Sequence, residues 1–556
     1  MTTRDEPRLP AGQSEAQRGA SEASGDATGT RPTSTTDEGS RDEATGAPGA
    51  QGDVAREAGR GGLAVAFAKV YFIVQGLVQQ IALPRVLDIG GYGAWSTVNS
   101  IAGVAYNPVI AMSIQGVSRA VASADAGEQA ATLRMVLRVH ALIALLLGGG
   151  FLLLGPAICE AAGAPHVAGP ARLMSAAMLL YGLYAPLIGA LNGRRRFLAQ
   201  AGFDILAATL RTTGLVAGAW LLARQDRGVE GAAGGFVVAL SVLLILAVSV
   251  VGLGKRGPST LRLWDHVGFL IPVLVGQLLL NLLLQADLTL LRRFAADAAL
   301  AEGLEYTAAD PLVGAYRATQ LFSFLPYQLL ISVNFILFPM LASAVRDGDG
   351  EAIARYVATG VRIALLIAGL MVSVTAGLSS KLLRLVFGKQ VADLGGHSLE
   401  LLALGFGAFA LFGVLTTVLN SLRHERASAI ITGVAVTAVA SLCFLRVRGS
   451  EFGEVLLFRT ATATSVGLFL ATLSAGVLVY RVAGAVVAPL SVVRVLIAVG
   501  IAVSVGQMLP DGGALLTIAS AAALALGYVV ILIASREIGR RDLALVLRVL
   551  KPKSAS

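Results

Sequence analysis

The sequence predicts an all-α, polytopic membrane protein, and three observations carry that expectation. Apolar residues fill 55% of the 556 positions and charged residues only 14%, with a mean hydropathy of +0.73. A soluble domain needs far more charge to cover its surface. Apolar stretches of about twenty residues, the length that crosses a bilayer core, follow one another from Leu63 almost to the end. Each must be helical, because backbone groups in hydrocarbon find partners only within their own segment.

Taken in order, residues 1–60 form a polar leader rich in Ser, Thr, Gly, Asp and Glu, without apolar periodicity. It cannot bury enough surface to offset its ordering entropy and is expected to be disordered. It also lacks the layout of a cleavable signal peptide. About fourteen spans follow, starting near Leu63, Gly93, Leu133, Arg172, Phe203, Gly231, Val267, Leu312, Val357, Leu399, Ala427, Val455, Val486 and Gly513. They divide into a six-helix lobe over 61–256, a second six-helix lobe over 257–482 and two further helices over 483–535, before a basic tail at 536–556. Pro108, Pro186, Pro272, Pro326 and Pro339 fall inside spans and are expected to kink them. Aromatics are 6% against 64 glycines, a composition that suits closely packed helices in lipid.

Charge sets the orientation. The leader carries seven Arg against eleven acids, so the net +9 of the chain lies on the membrane body and tail. Arg194, Arg195 and Arg196, Lys255 with Arg256, Arg423 with Arg426, and the tail's Arg536, Arg540, Arg541, Arg548, Lys551 and Lys553 share one face if both termini are cytoplasmic. Arg292, Arg293, Lys381, Arg384 and Lys389 oppose them on the other face, and the tail decides. This reading puts the chain in the cytoplasmic (inner) membrane, with lipid headgroups or an anionic lipid-linked substrate as partners for its excess charge.

Other chemistries find no residues to support them. Cys159 and Cys443 lie far apart, and the five histidines show no metal-ligand spacing. There is no phosphate-binding G-x-x-x-x-G-K-[ST] loop, no hydrolytic constellation and no nucleic-acid motif. The expectation is a non-enzyme without cofactor or metal.

An internal repeat organises the chain. Gly93-Ala94-Trp95 through Ala122-Ser123-Ala124 matches Gly314-Ala315-Tyr316 through Ala342-Ser343-Ala344, and Leu191-Asn192 before Arg194 matches Leu419-Asn420 before Arg423. The offsets are 221, 220 and 228 residues, which implies two related halves with a site between them near mid-membrane.

The segment from Leu83 to Gly103, with Arg85, Leu87, Gly90, Tyr92 and Gly93, resembles the start of polysaccharide-biosynthesis oligosaccharide flippases. These belong to the superfamily shared with MATE drug exporters and lipid II flippases. The stretch from Ser113, Asp287 with the leucines after it, and Val313 to Ala318 resemble later parts of the same pattern, over roughly Leu63 to Tyr480. The resemblance implies alternating access of two lobes around a central cavity. It also implies a polyprenyl-linked oligosaccharide as cargo, with a polymerase and glycosyltransferases as possible partners.

Polar residues within spans supply the candidate site. Lys69, Gly76 and Gln80 share a face of the first span; Gln277, Asn281 and Gln285 form a stripe in the seventh; Arg317, Gln320, Phe324 and Gln328 form one in the eighth. The resemblance adds the second span, with Asn99, Asn107, Gln115 and Arg119. Amides suit sugar hydroxyls, and Lys or Arg suits pyrophosphate. Each has a plainer reading: amides tie helices together, and Lys69, Arg119 and Arg317 can reach headgroups. Asp204 and Arg211, seven apart on one face of the fifth span, read as a structural polar pair between helices. Asp287 reads as a partner for an arginine such as Arg292 or as a coupling carboxylate. A cation-coupled MATE-type exporter, a lipid II flippase and a non-transporting scaffold are the competing functions.

Overall fold

The structure, a computed structural model, describes residues 48–539. The expected leader lies outside the described residues as far as residue 47, and the basic tail from residue 540 onward. The chain divides into two units, Met1–Arg56 and Glu57–Ser556. The described part of the first, from Pro48, is helical backbone inside the stretch expected to be disordered. The second unit carries the membrane helices.

The described residues form α-helices and short 3-10 turns, with no strand. The N-terminal half holds α1 (Pro48–Ala122), α2 (Gln129–Ala161), α3 (Ala168–Gly193), α4 (Phe197–Ala223) and α5 (Gly228–Val251). Next come α6 (Leu263–Ala301), α7 (Ala309–Ser323), α8 (Leu325–Asp347), α9 (Gly350–Gly377), α10 (Ser379–Phe387), α11 (Lys389–Ser421), α12 (Glu425–Val447) and α13 (Glu454–Ala483). The last two are α14 (Pro489–Met508) and α15 (Ala514–Ala534). Among the described residues, twelve helices are long and apolar enough to cross a membrane, so the chain is a multi-pass membrane protein.

Two of these elements account for the remaining spans. The apolar part of α1, Phe67–Ala122, runs 56 residues, roughly 84 Å if straight, against a hydrocarbon core of about 30 Å. It therefore crosses twice, and the break is at Asp88, whose φ of 59° and ψ of −178° are not helical. The Asp88 side chain accepts a hydrogen bond from Gly91 N at 2.8 Å and caps the second limb. The other element is Tyr306–Asn334 with Leu337–Asp347, together apolar enough to cross and bent by 41°, which counts as one further crossing if the pair is a broken span rather than a re-entrant loop. Pro339 lies one turn past the bend; it has no N–H to give and its ring crowds the carbonyl four residues back. Counted this way, the crossings among the described residues number fourteen.

Buried apolar side chains gather into two large cores, one within residues 83–251 and one within 283–479. α14 and α15 pack on α9 through a smaller third core containing Leu365, Val495 and Tyr528, and Tyr528 donates its hydroxyl to Leu366 O at 3.0 Å. The repeat is visible in the backbone. After Leu191-Asn192 and after Leu419-Asn420, Arg195 (φ 57°) and Arg423 (φ 62°) both turn left-handed. Arg195 N bonds Asn192 O as Arg423 N bonds Asn420 O; Arg196 N bonds Leu191 O as His424 N bonds Leu419 O. The nine-residue α10 carries Lys381 and Arg384.

Candidate functional site

A cavity of about 490 Å³ lies between α1, α6, α7, α8 and α11, within the size range of small-molecule sites. The first limb of α1 gives it Lys69 and Gln80, and the second limb gives Asn107. α6 supplies Asn281 and Gln285; α7 supplies Arg317 and Gln320; α8 supplies Gln328. Phe72, Phe324 and Phe406 are among the apolar residues of its wall. Among the described residues, two full cations and six amides thus face the space, and no carboxylate does.

Each cation is held differently. Lys69 Nζ meets Asp204 Oδ2, from α4, at 2.9 Å; the lysine side chain is 49% exposed and the aspartate 15%. Arg317 Nη1 donates to Gln320 Oε1 at 3.0 Å. Gln320 Nε2 in turn donates to Asp287 Oδ2 at 3.0 Å, behind the cavity wall. That amide has only one satisfactory orientation, since a guanidinium only donates and the amide oxygen must face it. Asp287 is buried and also accepts from Tyr316 OH at 2.9 Å, Thr464 Oγ1 at 3.3 Å and Leu288 N at 2.8 Å. Gln80 Oε1 accepts from Tyr92 OH at 2.7 Å, and Asn281 Nδ2 donates to Gln277 O at 2.9 Å. Gln285 Oε1 and Gln328 Oε1 are buried without a hydrogen-bond partner among the described residues.

The sequence-derived candidates divide accordingly. Lys69, Gln80, Asn281, Gln285, Arg317 and Gln320 come together around one space. Asn99, Arg119 and Gln277 do not line it. Asn99 accepts a hydrogen bond from Tyr106 at 3.4 Å, and Arg119 lies 4.4 Å over the Phe269 ring, at the seam between α1 and α6. Helix phase explains this, since Asn99 and Arg119 are roughly 80° and 120° around α1 from Asn107. Gln277 stands a turn beyond the lining of α6.

Asp204 and Arg211 each meet a partner on another helix. Asp204 takes Lys69, and Arg211 lies 4.9 Å over the ring of Phe72, so both reach across to the first limb of α1. Arg292 takes Asp310 rather than Asp287, at 3.4 Å, and donates to Tyr306 O at 3.1 Å. Gln328 and Asn107 belong to the lining but not to the principal candidates. Their stripes, Arg317 to Gln328 and Asn99 to Arg119, were the available signal.

No family model and no curated protein matches this sequence. Solved structures do. The chain has the fold of the lipid II flippase MurJ in an inward closed conformation, with a TM-score of 0.65 at 13% identity over 86% of this chain and 99% of that one. It is also similar to an inward-facing multidrug resistance MATE family transporter of the MOP superfamily, with a TM-score of 0.57 at 15% identity over 73% of this chain and 95% of that one. The Vibrio cholerae MATE transporter VcmN, in its bent form, matches at a TM-score of 0.52 and 15% identity over 78% of this chain and 98% of that one. At such identities the likeness is one of fold.

Proposed function

We propose that this protein is a flippase that carries a polyprenyl-pyrophosphate-linked oligosaccharide across the cytoplasmic membrane by alternating access of its two lobes. The observation behind the reading is the charge of the cavity wall: among the described residues, Lys69 and Arg317 face the space and no carboxylate does. A pyrophosphate would meet the ammonium as a point charge and the guanidinium as a fork. Sugar hydroxyls would meet Asn107, Asn281, Gln285 and Gln328, each able to donate and accept. The lipid tail would trail in the bilayer while the headgroup crosses. An exporter of cationic drugs needs anionic groups in its wall, and here Asp204 and Asp287 stand outside it, held by their own donors.

Lipid II carries the same pyrophosphate chemistry, and the fold likeness to MurJ makes it the second reading. The test is flipping of fluorescent polyprenyl-pyrophosphate oligosaccharide and of lipid II by purified protein in proteoliposomes. Movement of the first substrate, lost in Lys69→Gln and Arg317→Gln and kept in Arg119→Gln, supports the proposal. Movement of lipid II alone selects the second reading. Movement of neither, by protein that is folded, overturns both.

A further inference from the structure

The two cations of the cavity differ in one respect. Arg317 is held by a neutral amide, whereas Lys69 already has an anion, Asp204, brought from a helix that does not line the space. We infer that Asp204 is a resident counter-ion, which occupies Lys69 in the empty site and is displaced by the anionic group of the substrate. The inference rests on the flippase reading and adds to it a residue that sets affinity and release.

Three observations carry it. The ion pair is half open on the lysine side, 49% exposed, and a pair so placed is worth little and yields readily to a stronger anion. Packing of α1 against α4 does not depend on the pair either. Tyr71 and Thr209 share a hydrogen bond of 2.9 Å, Thr212 Oγ1 donates to Gln75 O at 3.3 Å, and Arg211 covers Phe72. Third, Arg317 leaves one full positive charge in the wall for first capture. The substrate would bind there and then exchange for Asp204 at Lys69. On departure Asp204 would return to the ammonium, so that the cavity resets without holding a bare cation. Such an arrangement lowers affinity for the anion, and binding tighter than release allows is what a carrier must avoid.

The experiment is a double-mutant cycle on the full-length protein in nanodiscs, with farnesyl pyrophosphate as the probe. Lys69→Gln should weaken binding roughly tenfold, the effect of losing one charge-assisted contact. Asp204→Asn should tighten it by about threefold or more and slow flipping in proteoliposomes, whereas Asp204→Glu should bind as wild type does. In the Lys69→Gln background, Asp204→Asn should change nothing. Asp204→Ser serves as a second neutral variant if the Asn protein folds poorly. A neutral residue that leaves affinity unchanged or weaker, while Lys69→Gln still weakens it, makes Asp204 a helix tie only; the flippase reading then stands. An unaffected Lys69→Gln removes the cationic site and this inference with it.

Discussion

Gly93 and Gly314, the leading residues of the two matched repeat segments, lie against each other where the second limb of α1 crosses α7. A Cβ on Gly93 would collide with the Asp310 carbonyl and lie 2.9 Å from Gly314 N. A Cβ on Gly314 would collide with the Ile89 carbonyl and lie 3.2 Å from Gly93 N. The duplication has therefore placed a glycine from each half at the same crossing, and only backbone fits there.

Alanine at either position has to push two helices apart, because the atoms it meets are main chain. Gly93→Ala and Gly314→Ala should each lower thermal stability in detergent, by an amount in the range of overpacked cores, about 1–3 kcal/mol. Gly202→Ala is the control: its Cβ meets nothing within 4 Å, and alanine in a helix is worth up to about 1 kcal/mol over glycine. Equal stability of the three variants would deny the crossing.

Asp310 couples both halves by its side chain as well. His166 Nε2, from the 3-10 turn Pro165–Val167, lies 2.9 Å from Asp310 Oδ2, and the fully buried Arg292 lies 3.4 Å from Oδ1. Removing the carboxylate strands a guanidinium away from water, which typically costs about 3–5 kcal/mol. Asp310→Ala should thus be the more damaging of two changes; Asp310→Leu with Arg292→Met, which removes both charges, should recover much of the loss. Unfolding monitored for the single and double variants checks this, and a double variant worse than the single one would refute it.

These particulars show where sequence was sufficient. Apolar length fixed the number of crossings, and polar residues repeating along one helix face, such as Asn281 with Gln285 and Lys69 with Gln80, marked walls of one cavity. The partner that a polar side chain takes across helices was not legible. Asp204 has Arg211 two turns along its own helix, yet it pairs with Lys69, 135 residues away in the chain. Charge type and spacing along one helix cannot reveal which neighbour the bundle will supply. Asn99 and Arg119 stand off this cavity for a simpler reason: a span that borders a cavity still turns most of its circumference elsewhere.

Glu537, just beyond α15, fastens the last two spans. Its side chain accepts from Arg362 Nε at 2.9 Å and from Arg494 Nη1 at 3.2 Å, and its carbonyl accepts a further bond from Arg362. Burial pushes its carboxyl upward, but hydrogen bonds from Arg362, Ser491 and Arg494 outweigh this and hold it below the usual glutamate value. A depressed carboxylate stabilises the fold above its unfolded value and ceases to do so as pH falls through the folded one. Stability should therefore be flat near neutrality and decline only in acid. Glu537→Gln should lower Tm at pH 7 and flatten that decline; an unchanged acid limb would assign it to other carboxylates.

The relay from Arg317 through Gln320 to Asp287 makes the last prediction. Arg317 only donates, so Gln320 turns its oxygen toward the guanidinium and its NH2 inward, where Asp287 supplies the acceptor. Asparagine in place of Asp287 keeps the size and still offers an oxygen to that NH2, so Asp287→Asn should leave Arg317 held and binding of a pyrophosphate probe unchanged. Leucine offers no acceptor. Gln320 would then lose its inward anchor and hold Arg317 less firmly. Asp287→Leu should therefore weaken binding several-fold although residue 287 never touches the probe, a loss of the order of one neutral hydrogen bond, about 0.5–1.5 kcal/mol. Gln320→Glu acts by the opposite route. It gives Arg317 a carboxylate partner and takes the amide donor away from Asp287, so it should weaken binding and lower Tm together. In the Arg317→Gln background Asp287→Leu should lose its effect on affinity, since the group it orients is gone. A persisting effect there would mean that Asp287 acts on the cavity by some path other than Gln320.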